Sequence, residues 1–101
     1  MPLFVVQCTD HDDVLPQRLA ARPAHLARLE QLHQAGRLII AGPMPKNADD
    51  LSQGFYGSTL IVDFDSRADL DTWLAQEPYL AEGVYKSIDV KPFLQVFPKA
   101  E

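Results

Sequence analysis

Pro23-Ala24-His25-Leu26-Ala27-Arg28-Leu29-Glu30-Gln31-Leu32-His33-Gln34-Ala35, closed by Gly36 and followed by Leu38-Ile39-Ile40-Ala41-Gly42-Pro43, is the stretch that decides the fold. Leu26, Leu29 and Leu32 recur every three residues, while Glu30, Gln31 and Gln34 take the other side, which is the pattern of an amphipathic helix. Gly36 suits the helix end. Leu38 to Ala41 then reads as a strand, stopped at Gly42-Pro43 because proline cannot donate to a sheet ladder. On the helical wheel, at about 100° per residue, His25 falls between Leu29 and Leu32, inside the apolar stripe.

Working back from this stretch, Arg22 precedes Pro23, and a residue before proline is pushed away from helical backbone. The sequence therefore predicts one helical segment over Val14 to Ala21, a kink or break at Arg22, and a second segment from Pro23. Pro16 is tolerable in a first turn, and Leu15 and Leu19 would share a face. Leu3 to Cys8 is nearly all apolar, the mark of a strand buried on both faces.

Working forward, Pro45 to Gly57 reads as a polar loop, with Phe55 and Tyr56 packing it onto the sheet. Ser58 to Phe64 is a third strand, with Leu60, Val62 and Phe64 on one face. Ser66, with Asp69 three residues on, starts a helix whose apolar face is Leu70, Trp73 and Leu74. Gln76-Glu77-Pro78 ends it, and Tyr79 to Gly83 links onward. Tyr85 to Phe97 reads as a fourth strand, with Ile88 and Val90 on one side and Tyr85 and Phe93 on the other. Pro92 implies a bulge or an edge there.

The order β-α-β-β-α-β is that of an α+β, ferredoxin-like fold: a four-stranded antiparallel sheet with two helices on one face. Residues 1–97 form the domain and 98–101 a tail. Two helices leave the second sheet face uncovered although the strands are apolar there too. This predicts a homodimer packed sheet to sheet.

Composition narrows the function classes. Hydrophobic residues make up 47% and charged residues 23% of the 101, the proportions of a folded soluble domain. Fourteen acidic against nine basic residues, a net charge of -5, speak against nucleic-acid binding. No apolar run approaches the roughly 20 residues of a membrane helix, and residues 1 to 8 lack the features of a signal peptide. A lone cysteine, Cys8, gives no disulfide, so the expected location is cytoplasmic. His11, His25, His33 and Cys8 do not form a metal-ligand spacing, and there is no phosphate or dinucleotide loop.

The residues that could carry chemistry are few. His25 is either a proton-transfer group at neutral pH or a core histidine satisfied by backbone. Glu77, beside Pro78, is either an exposed helix-end carboxylate or the partner that orients the imidazole. Ser58 could bond a ligand or simply the backbone. Arg22 could hold an anionic substrate or pair with Asp12 or Asp13. Tyr79 could line a pocket or serve as packing.

Arg22-Pro23-Ala24-His25-Leu26-Ala27-Arg28-Leu29, Gly36-Arg37-Leu38, Ala41-Gly42-Pro43-Met44-Pro45, Gly57-Ser58-Thr59, Glu77-Pro78-Tyr79, Gly83-Val84-Tyr85 and Val90-Lys91-Pro92-Phe93, in that order, resemble the YciI-like (YCII domain) family over essentially the whole chain. The resemblance implies a ferredoxin-like dimer related in architecture to muconolactone isomerases. It also implies a site built on a histidine and an acidic residue. The histidine falls on His25 and the Gly-Ser serine on Ser58. The acidic residue falls on Glu77, where the family motif reads Asp-Pro-Tyr or Asp-Pro-Phe, so this chain departs from it by one methylene. One relative dehydrochlorinates a chlorinated hydroxyhydroquinone. The expectation is a cofactor-independent enzyme in which His25 and Glu77 are the catalytic pair and Ser58, Arg22 and Tyr79 bind substrate. It would act by elimination or isomerisation on a small ring or anionic compound. The alternative is a non-catalytic dimeric protein that binds a small-molecule ligand, or an accessory protein that binds a partner protein through the same cleft.

Overall fold

The computed structural model describes residues 2–99; Met1 and the last two residues of the expected tail, Ala100 and Glu101, lie outside the described residues. Four strands, β1 (Leu3–Asp10), β2 (Leu38–Pro45), β3 (Phe55–Asp63) and β4 (Tyr85–Phe93), form one antiparallel sheet in the order β2-β3-β1-β4. Helix α1 (Leu15–Gln34) joins β1 to β2, and α2 (Arg67–Ala75) with the short α3 (Pro78–Ala81) joins β3 to β4. This is the expected ferredoxin-like fold, with the helices on one side of the sheet. No described helix is long and apolar enough to cross a membrane.

The core follows from the period-two pattern of the central strands. Phe4, Val6 and Cys8 of β1 and Leu60 and Val62 of β3 are buried beneath Ala21, Leu32, Leu70, Leu74 and Tyr79. Side chains as fully buried as Val6, Val62 and Leu70 contribute about 1.5–3 kcal/mol each. The other face carries Val5 opposite Ile61, and Ile61 opposite Ile40, which is 61% exposed in the single chain.

Several local expectations are corrected. Helix α1 does not break at Arg22: it runs unbroken through Pro23. The bond Pro23 cannot make is to the Leu19 carbonyl. Leu19 and Pro23 both lie on the exposed side, where water can serve that carbonyl, while Arg18, Ala21, His25 and Leu32 hold the buried side. The apolar stripe is accordingly rotated from the one expected, and Leu19 and Leu26 face outward. The helix ends as expected: Ala35 is the cap, Gly36 takes φ 75°, and the Gly36 and Arg37 amides donate to the carbonyls of His33 and Leu32.

Strand β2 continues past Gly42-Pro43 to Pro45, because it is an edge strand and Pro43 lies opposite Ser58 without needing an outer partner. Phe55 and Tyr56 belong to β3 rather than to the preceding loop, which holds a 3-10 turn at Leu51–Gln53. β4 stops at Phe93, whose partner Leu3 begins β1, so the chain beyond has no strand to pair with. Pro92 sits on the other edge, as expected. A register shift at Thr9/Asp10 brings Tyr85 onto the same side as Ile88, beneath the helices rather than opposite.

Candidate active site

Helix α1 presents Arg18, His25 and Leu32 on one face, because seven residues are close to two turns. His25 is 7% exposed and its Nδ1 hydrogen-bonds Glu77 Oε1. Glu77, 2% exposed, is not a trailing helix-end carboxylate. It is the N-cap of α3, and its Oε1 also accepts from the Tyr79 amide at 3.4 Å. At the start of α3 a carboxylate is favourably placed, whereas at the end of α2 it would oppose the helix dipole.

The other carboxylate oxygen, Oε2, accepts from Arg28 Nη1 at 3.1 Å. Arg28 also donates from Nη2 to the Trp73 carbonyl at 2.6 Å and lies over the Trp73 ring. Both oxygens of Glu77 are therefore held. Tyr79 stacks on the imidazole at 4.1 Å between ring centroids, and the Tyr79 and Tyr85 rings meet edge to face. A carboxylate only accepts, so Nδ1 is the donor, and Nε2 has no partner among the described residues.

A second cluster adjoins the first. Arg18 donates from Nε to Asp10 Oδ2 at 2.9 Å and from Nη2 to Ser58 Oγ at 2.7 Å. Its guanidinium lies between the Phe55 and Tyr79 rings, 4.7 Å from each centroid. Ser58 is placed by Gly57. Gly57 pairs with Thr9, and a Cβ there would stand 1.7 Å from the Cys8 carbonyl oxygen. Only glycine lets β3 press against β1 at this point. Ser58 Oγ accepts from Arg18, and its hydroxyl also lies close to that of Tyr85.

The walls of a pocket of about 100 Å³ include His25, Ser58, Arg18, Arg22, Tyr79 and Pro43. Arg18, Arg22, Pro43 and Tyr79 also line a larger, mostly apolar cavity of about 540 Å³. Burial raises the Tyr79 phenol above its ordinary value, and the Arg18 and Arg22 guanidiniums pull it back. Burial likewise pushes the Cys8 thiol up to about 12 and raises the Tyr85 phenol. Asp10 Oδ1 and the Tyr85 hydroxyl are buried without a partner among the described residues. Among those residues no three metal-ligating side chains come together.

All five residues singled out from sequence border this region: His25 and Glu77 are bonded, Tyr79 stacks on His25, and Ser58 and Arg22 line the pocket. Arg22 lies exposed at the rim and pairs with neither Asp12 nor Asp13. Sequence reasoning missed Arg18, Arg28 and Asp10. The seven-residue step from Arg18 to His25 and the three-residue step to Arg28 were the available signals.

The YCII-related domain model matches residues 2–94. The chain is 48% identical over 97 residues to Protein YciI of Escherichia coli O6:H1, covering 94% of this chain and 99% of that relative. It is 44% identical over 96 residues to an uncharacterised protein of Haemophilus influenzae, covering 93% and 98%. Its fold is similar to that of 5-chloro-2-hydroxyhydroquinone dehydrochlorinase from Burkholderia phenoliruptrix, solved with 2,5-dihydroxybenzoquinone. There the TM-score is 0.81 at 24% identity over 91% of this chain and 93% of that one. A match of this length and order means that the chain belongs to the YCII-related family.

Proposed function

We propose that the chain is a small acid–base enzyme in which His25 Nε2 moves a proton on a small ring or anionic compound. The observation that carries this is the buried His25–Glu77 bond, with both Glu77 oxygens held and His25 on a pocket wall. A further support is that a protein of this fold is a dehydrochlorinase of a hydroxylated ring.

In this reading Nε2 takes a proton from an activated carbon, and the released electron pair forms a new double bond. In an elimination the leaving group departs from the neighbouring carbon with its bonding pair. In an isomerisation the imidazolium returns the proton to another carbon. Glu77 is the positioning residue: it fixes the tautomer and stabilises the imidazolium. Tyr79 fixes the ring plane, while Ser58 and Arg22 bind oxygen atoms of the substrate. This chemistry asks for no cofactor.

The test is turnover of 5-chloro-2-hydroxyhydroquinone and related hydroxylated halogenated rings, followed by chloride release. His25→Ala is expected to lower the rate at least about 100-fold with circular dichroism unchanged. An undiminished rate would overturn the reading. Binding of these rings without turnover would instead favour a ligand-binding protein.

The same reading includes a second copy of the chain packed on the open sheet face around Val5, Ile40, Ile61 and Phe93. Light scattering is expected to give twice the 11.3 kDa of one chain. Val5→Lys is expected to shift the mass toward one chain.

A further inference from the structure

Arg18 is 5% exposed, yet only part of its guanidinium is used. Nε and Nη2 donate to Asp10 and Ser58, while Nη1 has no partner among the described residues and the group borders both cavities. Buried guanidiniums normally have their donors met, so unused donors on a cavity wall ask for an acceptor from a ligand.

The charges around the cavities are nearly matched. Arg18 is paired with Asp10 and Arg28 with Glu77. Arg22, on the wall of both cavities, has no ion-pair or hydrogen-bond partner among the described residues. One positive charge is left over in a chain whose net charge is -5. The rest of the outer cavity is mostly apolar, with Leu15, Leu19, Pro45, Leu51 and Phe55 on its walls and Ser52 as a further polar residue. At about 540 Å³ it exceeds what one ring would fill.

From these observations we propose that the site takes an apolar monoanion. One delocalised oxyanion would lie between Arg18 Nη1, Arg22 and Ser58, on a body larger than a single ring that extends between Leu19 and Leu51. This narrows the substrate class and rests on the reading of the His25 pocket as the active site.

The experiment is calorimetric binding of 2-naphthoate, its neutral methyl ester and benzoate to the full chain. Naphthoate is expected to bind about tenfold more tightly than the ester, because charge-assisted bonds are lost in the ester. It is also expected to exceed benzoate by about tenfold through the second ring. Arg22→Gln is expected to weaken naphthoate about fivefold and to leave the ester unchanged. Leu19→Gln is expected to weaken naphthoate and spare benzoate. Both residues are exposed, so neither change threatens folding. Equal affinity for acid and ester, equal affinity for naphthoate and benzoate, no binding of naphthoate, or an indifferent Arg22→Gln would each overturn the proposal. The readout is binding alone. Its failure leaves acid–base chemistry on a smaller neutral ring standing, and a failure of turnover leaves the ligand class standing.

Discussion

Arg18 on α1 reaches Ser58 on β3, 40 positions later in the chain, at 2.7 Å, while the same side chain holds Asp10 of β1 at 2.9 Å. Helix and sheet are tied here by a charge pair almost without solvent, the side chains being 7% and 2% exposed. Removing one member leaves the other as an uncompensated buried charge. Arg18→Met is therefore expected to lower stability by about 3–5 kcal/mol in urea denaturation. Arg18→Met with Asp10→Leu is expected to recover much of that loss. A double variant no better than the single one would contradict this account.

The His25–Glu77 bond predicts a spectroscopic signature that needs no substrate. An imidazole N–H given to a buried carboxylate is shielded from solvent exchange and resonates far downfield in proton NMR. Glu77→Gln is expected to abolish that resonance, and Glu77→Asp to weaken it, since the shorter side chain must also serve Arg28 and the Tyr79 amide. An unchanged resonance in Glu77→Gln would mean that the proton lies elsewhere.

Cys8, Tyr79 and Tyr85 share a direction. Burial raises each, the Cys8 thiol from 9.0 to about 12. The unfolded chain gives up these protons first, so the folded state binds more protons above the unfolded values. The stability they contribute is full at neutral pH. It falls as pH rises from about 9 toward the folded values. Urea midpoints measured from pH 7 to 11 should decline across the upper part of that range. Reaction of Cys8 with iodoacetamide should track unfolding rather than pH alone.

Gly57→Ala is expected to be among the most damaging single changes. The added Cβ would meet the Cys8 carbonyl, which is backbone and cannot step aside, so β1 and β3 must part. A loss of about 3 kcal/mol or more, read by thermal or urea unfolding, is the expected outcome. Displacement of Ser58 should also weaken its bond from Arg18.

The helix pattern of Leu26 to Leu32 and the apolar strands made the fold legible, because period 3.6 and period 2 are local properties of a chain. Edges are not local. Pro43 and the Gly42 before it look like a strand end unless it is known that β2 has a neighbour on one side only. The site divides in the same way. His25 stood out as a titratable group within an apolar stripe. Arg18 did not, since an arginine near a helix start is ordinarily solvated, and its partners Asp10 and Ser58 come from other elements. Glu77 read as a helix-end carboxylate because α3, whose Tyr79 amide it caps, is a single turn with no periodic pattern of its own.

Both outer strands of the sheet carry proline: Pro43 and Pro45 on β2, Pro92 on β4. A proline at an edge has no N–H to offer an incoming strand. Ribbon-like extension of this sheet by strand addition, the route by which exposed edges recruit other chains into fibrils, thus meets missing donors on either side. The borders of the sheet resist open-ended growth. Replacing Pro92 by threonine would remove that protection on one side, and a rise in thioflavin-positive aggregate on agitation would register the change.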